Sequence, residues 1–309
     1  QIAVSADRFE INEVWHAEWD AEMKRSMNET FVTTLQFPSP FVTEVYTDTE
    51  LVAKAARQLG LHAGDSLTLK SGWGFRREDH RRAALRLVKK LKPYCTALAF
   101  PCGPWSPLMQ LNPAADLERL RSEGEILINF AIEIAEEQMK HGRHFVMENP
   151  RPSAAWRLPQ LEVFAHRDGV LPVDIDMCHF GLKGPGGGFH KKSTRLLTSS
   201  QAMVSRLIAC RCTGDHLHEH VIGGSRISQA AGHYTDEFSK TITLSLMDQF
   251  DFETAQMYDM VAKYDQMSKN IDFAKNVQTS VDANTAEVNI TEHEVLALEE
   301  ESDSSLEMS

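Results

Sequence analysis

The strongest constraint on how this chain folds is a pair of short apolar runs, each stopped by a proline-bearing motif. Thr96–Phe100 (TALAF) ends at Pro101-Cys102-Gly103-Pro104, and His144–Met147 (HFVM) ends at Glu148-Asn149-Pro150. Between them Leu120, Leu127, Phe130, Ala131, Ile134 and Ala135 recur at helical spacing, which predicts a helix over Ala115–Lys140 closed by His141-Gly142. Strand, helix, strand in that order is a right-handed crossover unit and implies a parallel sheet. Ligands of such sheets gather beyond the carboxyl ends of the strands. Both proline-bearing motifs lie at such ends, so they are expected to face one cleft.

The remaining pattern extends the same architecture. Apolar Phe41–Tyr46 reads as a strand, and Leu51, Val52, Ala55 and Leu59 read as a helix capped by Gly60. A second helix fits Asp79–Leu91, Val173–Phe180 reads as a strand, and Gly184–Gly188 (GPGGG) as a flexible loop. Residues 1–40, with amphipathic Val14, Trp15, Trp19 and Met23, form an arm or linker before a domain over 41–250. Residues 251–309 hold 14 acidic and 3 basic side chains and account for 11 of the 12 net negative charges. That composition predicts a disordered acidic linker or tail. The body is close to neutral, so only local basic clusters can argue for nucleic acid. No apolar run reaches the roughly 18–20 residues of a membrane span. The chain begins at Gln1 with no signal peptide, so a segment of a longer polyprotein is expected. Five cysteines without a secretory signal point to a reduced intracellular setting, nuclear or cytoplasmic, rather than a disulfide framework.

Cys102, at a strand end between two prolines, stands in a stiff turn suited to a nucleophile that must meet its target atom accurately. The other reading is a small cysteine buried in a tight turn. Glu148, one crossover away, could protonate or hydrogen-bond a ring nitrogen while the cysteine attacks the ring; otherwise it caps a turn or pairs with Arg151.

Taken together, the Pro101-Cys102 motif with Ser106 nearby, Glu148-Asn149 one unit later and the basic Lys191–Thr198 segment resemble the cytosine-5 DNA methyltransferase family. The likeness is to its phage-type members and to methyltransferase-like segments of retroelement polyproteins, and it spans roughly Glu44–Asp248. It takes in Met177-Cys178-His179-Phe180-Gly181, and Cys212, His216 and His218 before Gly223. The resemblance implies a three-layer Rossmann-like α/β sheet of the S-adenosylmethionine-dependent type. It implies covalent addition of Cys102 to C6 of cytosine, contact of Glu148 with N3 and the exocyclic amine, and contact of Arg195 with base or phosphate. Pro101 and the acid and aromatic after the first strand, Glu44 and Tyr46, would serve the cofactor, with Asp65 as substitute for the ribose acid. The target base must leave the stack. The chain departs from the family where Asp48 and Glu50 replace two glycines, and where Thr68 and Gly74 stand without an acid beside them. The alternative is therefore a catalytically decayed fold serving as a nucleic-acid-binding or structural module of a retroelement polyprotein.

Two further features bear on partners. Cys210, Cys212, His216, His218 and His220 crowd into eleven residues, and thiolate with imidazole is what zinc prefers. Cys178, Cys212, His216 and His218 form one plausible set, although finger spacing is absent; a polar loop with incidental histidines is the alternative. Arg76, Arg77, Arg81 and Arg82 read as a solvated helix face, whereas Lys191 and Lys192, with Ser106, are candidates to meet DNA or RNA phosphates.

Overall fold

The computed structural model describes residues 37–38, 40–107, 109, 114–219 and 232–304. Val14, Trp15, Trp19 and Met23 of the amino-terminal arm, together with His220 and Gly223, lie outside the described residues. Five strands form one sheet in the order β1-β2-β3-β5-β4: β1 (Val42–Val45), β2 (Cys95–Leu98), β3 (His144–Pro150), β4 (Leu171–Asp176) and β5 (Ser193–Thr198). β1, β2 and β3 are parallel, with Leu98 opposite Val45 on one side and Met147 on the other. β5 is antiparallel to both β3 and β4, so the sheet is mixed rather than parallel throughout. A further lane runs beside β1, where Ala63 and Leu67 bridge Val42 and Val45. It passes so close that a β-carbon on Gly64 would lie 2.5 Å from Thr43 Oγ1, which explains glycine there.

The central strands are apolar on both faces, as strands covered on two sides must be. Val42, Cys95, Ala97, Val146 and Leu196 point into one core with α1 (Leu51–Gln58), α5 (Gln201–Leu207) and the first turns of α6 (Asp236–Ser304). Val45, Leu98, Phe145, Met147 and Leu197 point into a second core with α2 (Glu78–Leu91), α3 (Ala114–Lys140) and α4 (Pro159–Ala165). Three layers follow directly from that alternation.

The chain divides into two compact units, 1–253 and 254–309. In the first, Phe238, Ile242, Leu246 and Phe250 bury one stripe of α6. In the second, the backbone is helical to Ser304 where composition predicted a disordered tail. Acid-before-base pairs at helical spacing, Asp259 with Lys263 and Asp265 with Lys269, favour this. Two other expectations change. The strand read over Val173–Phe180 ends at Asp176 and passes into a 3₁₀ turn, Met177–Phe180. The glycine loop is fastened rather than free: Glu219 accepts from Gly186 N, and a β-carbon on Gly184 would meet the Glu219 carboxylate at 2.6 Å. Among the described residues no helix is long and apolar enough to cross a membrane.

The entries to β2 and β3 are tied by one buried side chain. Gln138 Nε2 donates to the carbonyls of Pro93 and His144, both at 2.9 Å, and its Oε1 accepts from Arg143 Nε. Gln138→Leu leaves these groups unpaired in the interior and should cost about 2–4 kcal/mol in urea unfolding, at unchanged m-value.

Candidate active site and Cys/His cluster

The loops after β1, β2 and β3 meet at the carboxyl edge of the sheet. Asn149 Nδ2 donates to the Phe100 carbonyl at 2.9 Å, fixing the start of the Pro101-Cys102 turn to the end of β3. Residues Gly103–Trp105 form a 3₁₀ turn in which Trp105 N donates to Cys102 O. Trp105 is buried against α3 at Gly124, where a β-carbon would come within 3.1 Å of its indole nitrogen. Glycine in mid-helix is unfavourable by about 1 kcal/mol, and here it makes room for that ring. The nucleophile turn is thus held from both sides.

A cavity of about 240 Å³ opens at this point, lined in part by Tyr46, Asp48, Pro101, Cys102, Glu148 and Lys192. Cys102 is exposed at its wall. Its thiol is held above the ordinary value, first by lost solvation and next by the Glu148 charge, while Lys192 pulls the other way. Glu148 is 8% exposed. Its Oε2 accepts from Tyr234 Oη at 3.3 Å, and its Oε1 lies 3.8 Å from Lys192 Nζ. Burial, followed by the Glu148 charge, holds the Tyr234 phenol well above its usual range, so it stays a donor. Among the described residues Glu148 Oε1 and Asn149 Oδ1 have no hydrogen-bond partner. Unpaired buried acceptors are costly unless a ligand supplies the donor.

A second cavity, about 390 Å³, shares Tyr46, Asp48 and Pro101 with the first and is walled by Trp73 and Phe75. These rings stack at 6.0 Å, and Tyr46 meets Phe75 edge-on at 5.3 Å. Thr68, Gly74, Arg76 and Arg77 complete part of its lining. This volume falls within the range of small-molecule sites. The loop between the two cavities is strained: Tyr46 and Glu50 hold φ of 76° and 54° without being glycine.

Several residues singled out in the sequence stand elsewhere. Glu44 is fully buried and accepts from Thr47 Oγ1 and from Ala53 N at 2.7 Å, so it braces the loop after β1 instead of facing either cavity. Burial raises its pKa against the lowering effect of those bonds, with Glu50 adding to the rise. Asp65 is exposed and Ser106 half-buried, and neither lines the two cavities. Arg195 is held by Asp174 through contacts of 2.7 and 3.1 Å and lies over Trp156, so the cation at the Cys102 cavity is Lys192. Lys191 is exposed beside it. In the first basic cluster Arg77 pairs with Asp79, Arg82 with Glu78 and Arg76 with Glu123, consistent with a solvated face. Tyr234 had no signal in the sequence; a lone tyrosine after a histidine belongs to no motif.

On the far side of β4, Cys178, Cys212, His216 and His218 gather with one ligand atom from each inside 4.8 Å of the others. Cys210 is not among them; it is buried, and its thiol donates to the Arg206 carbonyl. Comparison with protein-family models and with curated proteins found no match to this chain.

The raised Cys102 thiol has a direct consequence. A folded-state value above the usual ~8.5 leaves less thiolate at pH 7, so alkylation should rise with pH and reach half-maximum above that value. Glu148→Gln should move the midpoint down and Lys192→Met should move it up, read by mass spectrometry of the Cys102 peptide.

Proposed function

We propose that residues 37–253 act on a flipped nucleobase as a cytosine-5 methyltransferase-like domain, with Cys102 as nucleophile and DNA as substrate. The observation carrying this reading is that the Cys102–Glu148 cavity and the aromatic cavity adjoin through Tyr46, Asp48 and Pro101. A base in one chamber would then lie next to a donor in the other, as group transfer requires. Cys102 Sγ, once deprotonated, adds to C6 as the C5–C6 π pair moves to C5 and makes it nucleophilic, and it leaves again as thiolate when the substituted C5 gives up its proton to water. Lys192 stabilises the thiolate. Glu148 Oε1 and Asn149 Oδ1 offer acceptors to the exocyclic amine, and Tyr234 orients Glu148.

S-adenosylmethionine would supply the methyl group. The residues present fit it: Trp73 and Phe75 provide a face for a flat heterocycle, and Asp48 provides a negative charge for the cationic end. Of the two acids replacing glycines, only Asp48 lines the cavities; Glu50 begins α1. Lys191, which is exposed, suits a backbone phosphate, which would make affinity fall with salt, whereas Lys192 is turned to Glu148 and the Cys102 cavity.

A second reading, a decayed fold retained as a nucleic-acid-binding module of a retroelement polyprotein, is favoured by one observation. The Cys102 thiol is held above its ordinary value, the opposite of what an activated nucleophile needs. A duplex carrying 5-fluorocytosine separates the two. The enzyme reading expects a denaturation-resistant adduct that requires S-adenosylmethionine and disappears in Cys102→Ser. Salt-sensitive binding without an adduct in the wild-type protein would support the binding module instead.

A further inference from the structure

We infer that Cys178, Cys212, His216 and His218 bind one structural zinc ion that staples the segment after β4 and seats the loop leading to Lys192. Zinc with sulfur at about 2.3 Å and imidazole nitrogen at about 2.0–2.1 Å needs ligand-to-ligand spacings of about 3.3–3.8 Å. Cys212 Sγ stands 3.8 Å from His216 Nε2 and 3.3 Å from His218 Nε2. The set is two thiols and two imidazoles, and two thiolates neutralise the dication. His216 Nδ1 lies 2.7 Å from Asp215 Oδ1, an orientation that leaves Nε2 free to ligate. A carboxylate behind a ligating histidine is the usual support for such a site.

The supports of the site come from separate parts of the chain. Cys178 belongs to the 3₁₀ turn that ends β4. Cys212 is placed by its backbone N–H, which donates to Asp176 Oδ2 at 3.0 Å. His216 packs on Phe189 with ring centroids 4.6 Å apart. Phe189 in turn bridges Lys183 on one side and His218 on the other. Met177, Phe180 and Leu182 anchor the start of this segment in the first core, but among the described residues none of 183–192 or 211–219 enters either core, so a metal would supply the contacts missing there. Lys192, which faces Cys102 and Glu148, follows this loop directly.

The full chain, purified without chelator, should contain about one zinc per molecule by mass spectrometry of the metal. Cobalt exchanged into it should show the visible absorption of a tetrahedral dithiolate site. Cys212→Ser and His218→Ala should lose both signals, while His179→Ala, an exposed neighbour, keeps them. Chelation should lower the melting temperature by at least about 5 °C and open the Lys183 and Lys191 bonds to trypsin. The wild-type metal content and cobalt spectrum decide the matter even if a variant fails to fold. Zinc well below stoichiometric with no tetrahedral cobalt spectrum, or zinc retained in both ligand variants, would overturn the site.

Discussion

The hydrogen bond from Asn149 Nδ2 to the Phe100 carbonyl ties β3 to the chain just beyond the end of β2. Parallel pairing brings Leu98 level with Met147; β3 then continues against β5 to Pro150, while the chain beyond β2 is free to turn in many ways. The Asn149 contact removes that freedom, because the carbonyl it grips belongs to the residue just before Pro101-Cys102. With the two prolines limiting the turn and Trp105 seated on Gly124, Cys102 and Glu148 are left lining one cavity. The proposed chemistry depends on this juxtaposition more than on any feature of the cysteine itself.

Electrostatics in the cavity pull in two directions. Lys192 stabilises a thiolate, while Glu148 and the loss of water oppose it. A base that donated its amine to Glu148 would spread that charge and shift the balance toward the nucleophile, so substrate binding and cysteine activation would be coupled. The loop after β1 carries a comparable tension. Glu50 occupies left-handed backbone, where a non-glycine residue costs roughly 1–2 kcal/mol, and Glu44 is buried beneath it. Such strain persists only where the surroundings hold it, here through Thr47 and the first turn of α1.

Much of this could be read from the residues in order. β1, β2, β3 and the helices between them were legible because their apolar runs and periods belong to elements buried on known sides. Neither β5 nor its direction was, since Lys191–Thr198 reads only as a basic stretch turning apolar, alike whichever way a strand would run. The glycines of Gly184–Gly188 suggested freedom, yet they allow close approach to Glu219, a contact that no local pattern announces. Cys102 and Glu148 were legible from their place at strand ends. Arg195 was expected near them from its motif, but its neighbour across the sheet, Asp174, claims it. Tyr234 reaches Glu148 from a position 86 residues away, beyond any sequence spacing argument. The gathering of Cys178 with Cys212, His216 and His218 was legible despite irregular spacing because three of the four fall within seven residues of the chain.

The account rests most heavily on the aromatic chamber being a cofactor site that opens onto the Cys102 cavity. Calorimetric titration of S-adenosylhomocysteine into the full chain tests this directly. The account predicts micromolar affinity, weakened at least about tenfold, or roughly 1.4 kcal/mol, by Trp73→Ala and unchanged by Cys102→Ala. No heat up to millimolar ligand, or equal affinity in Trp73→Ala and wild type, would contradict it.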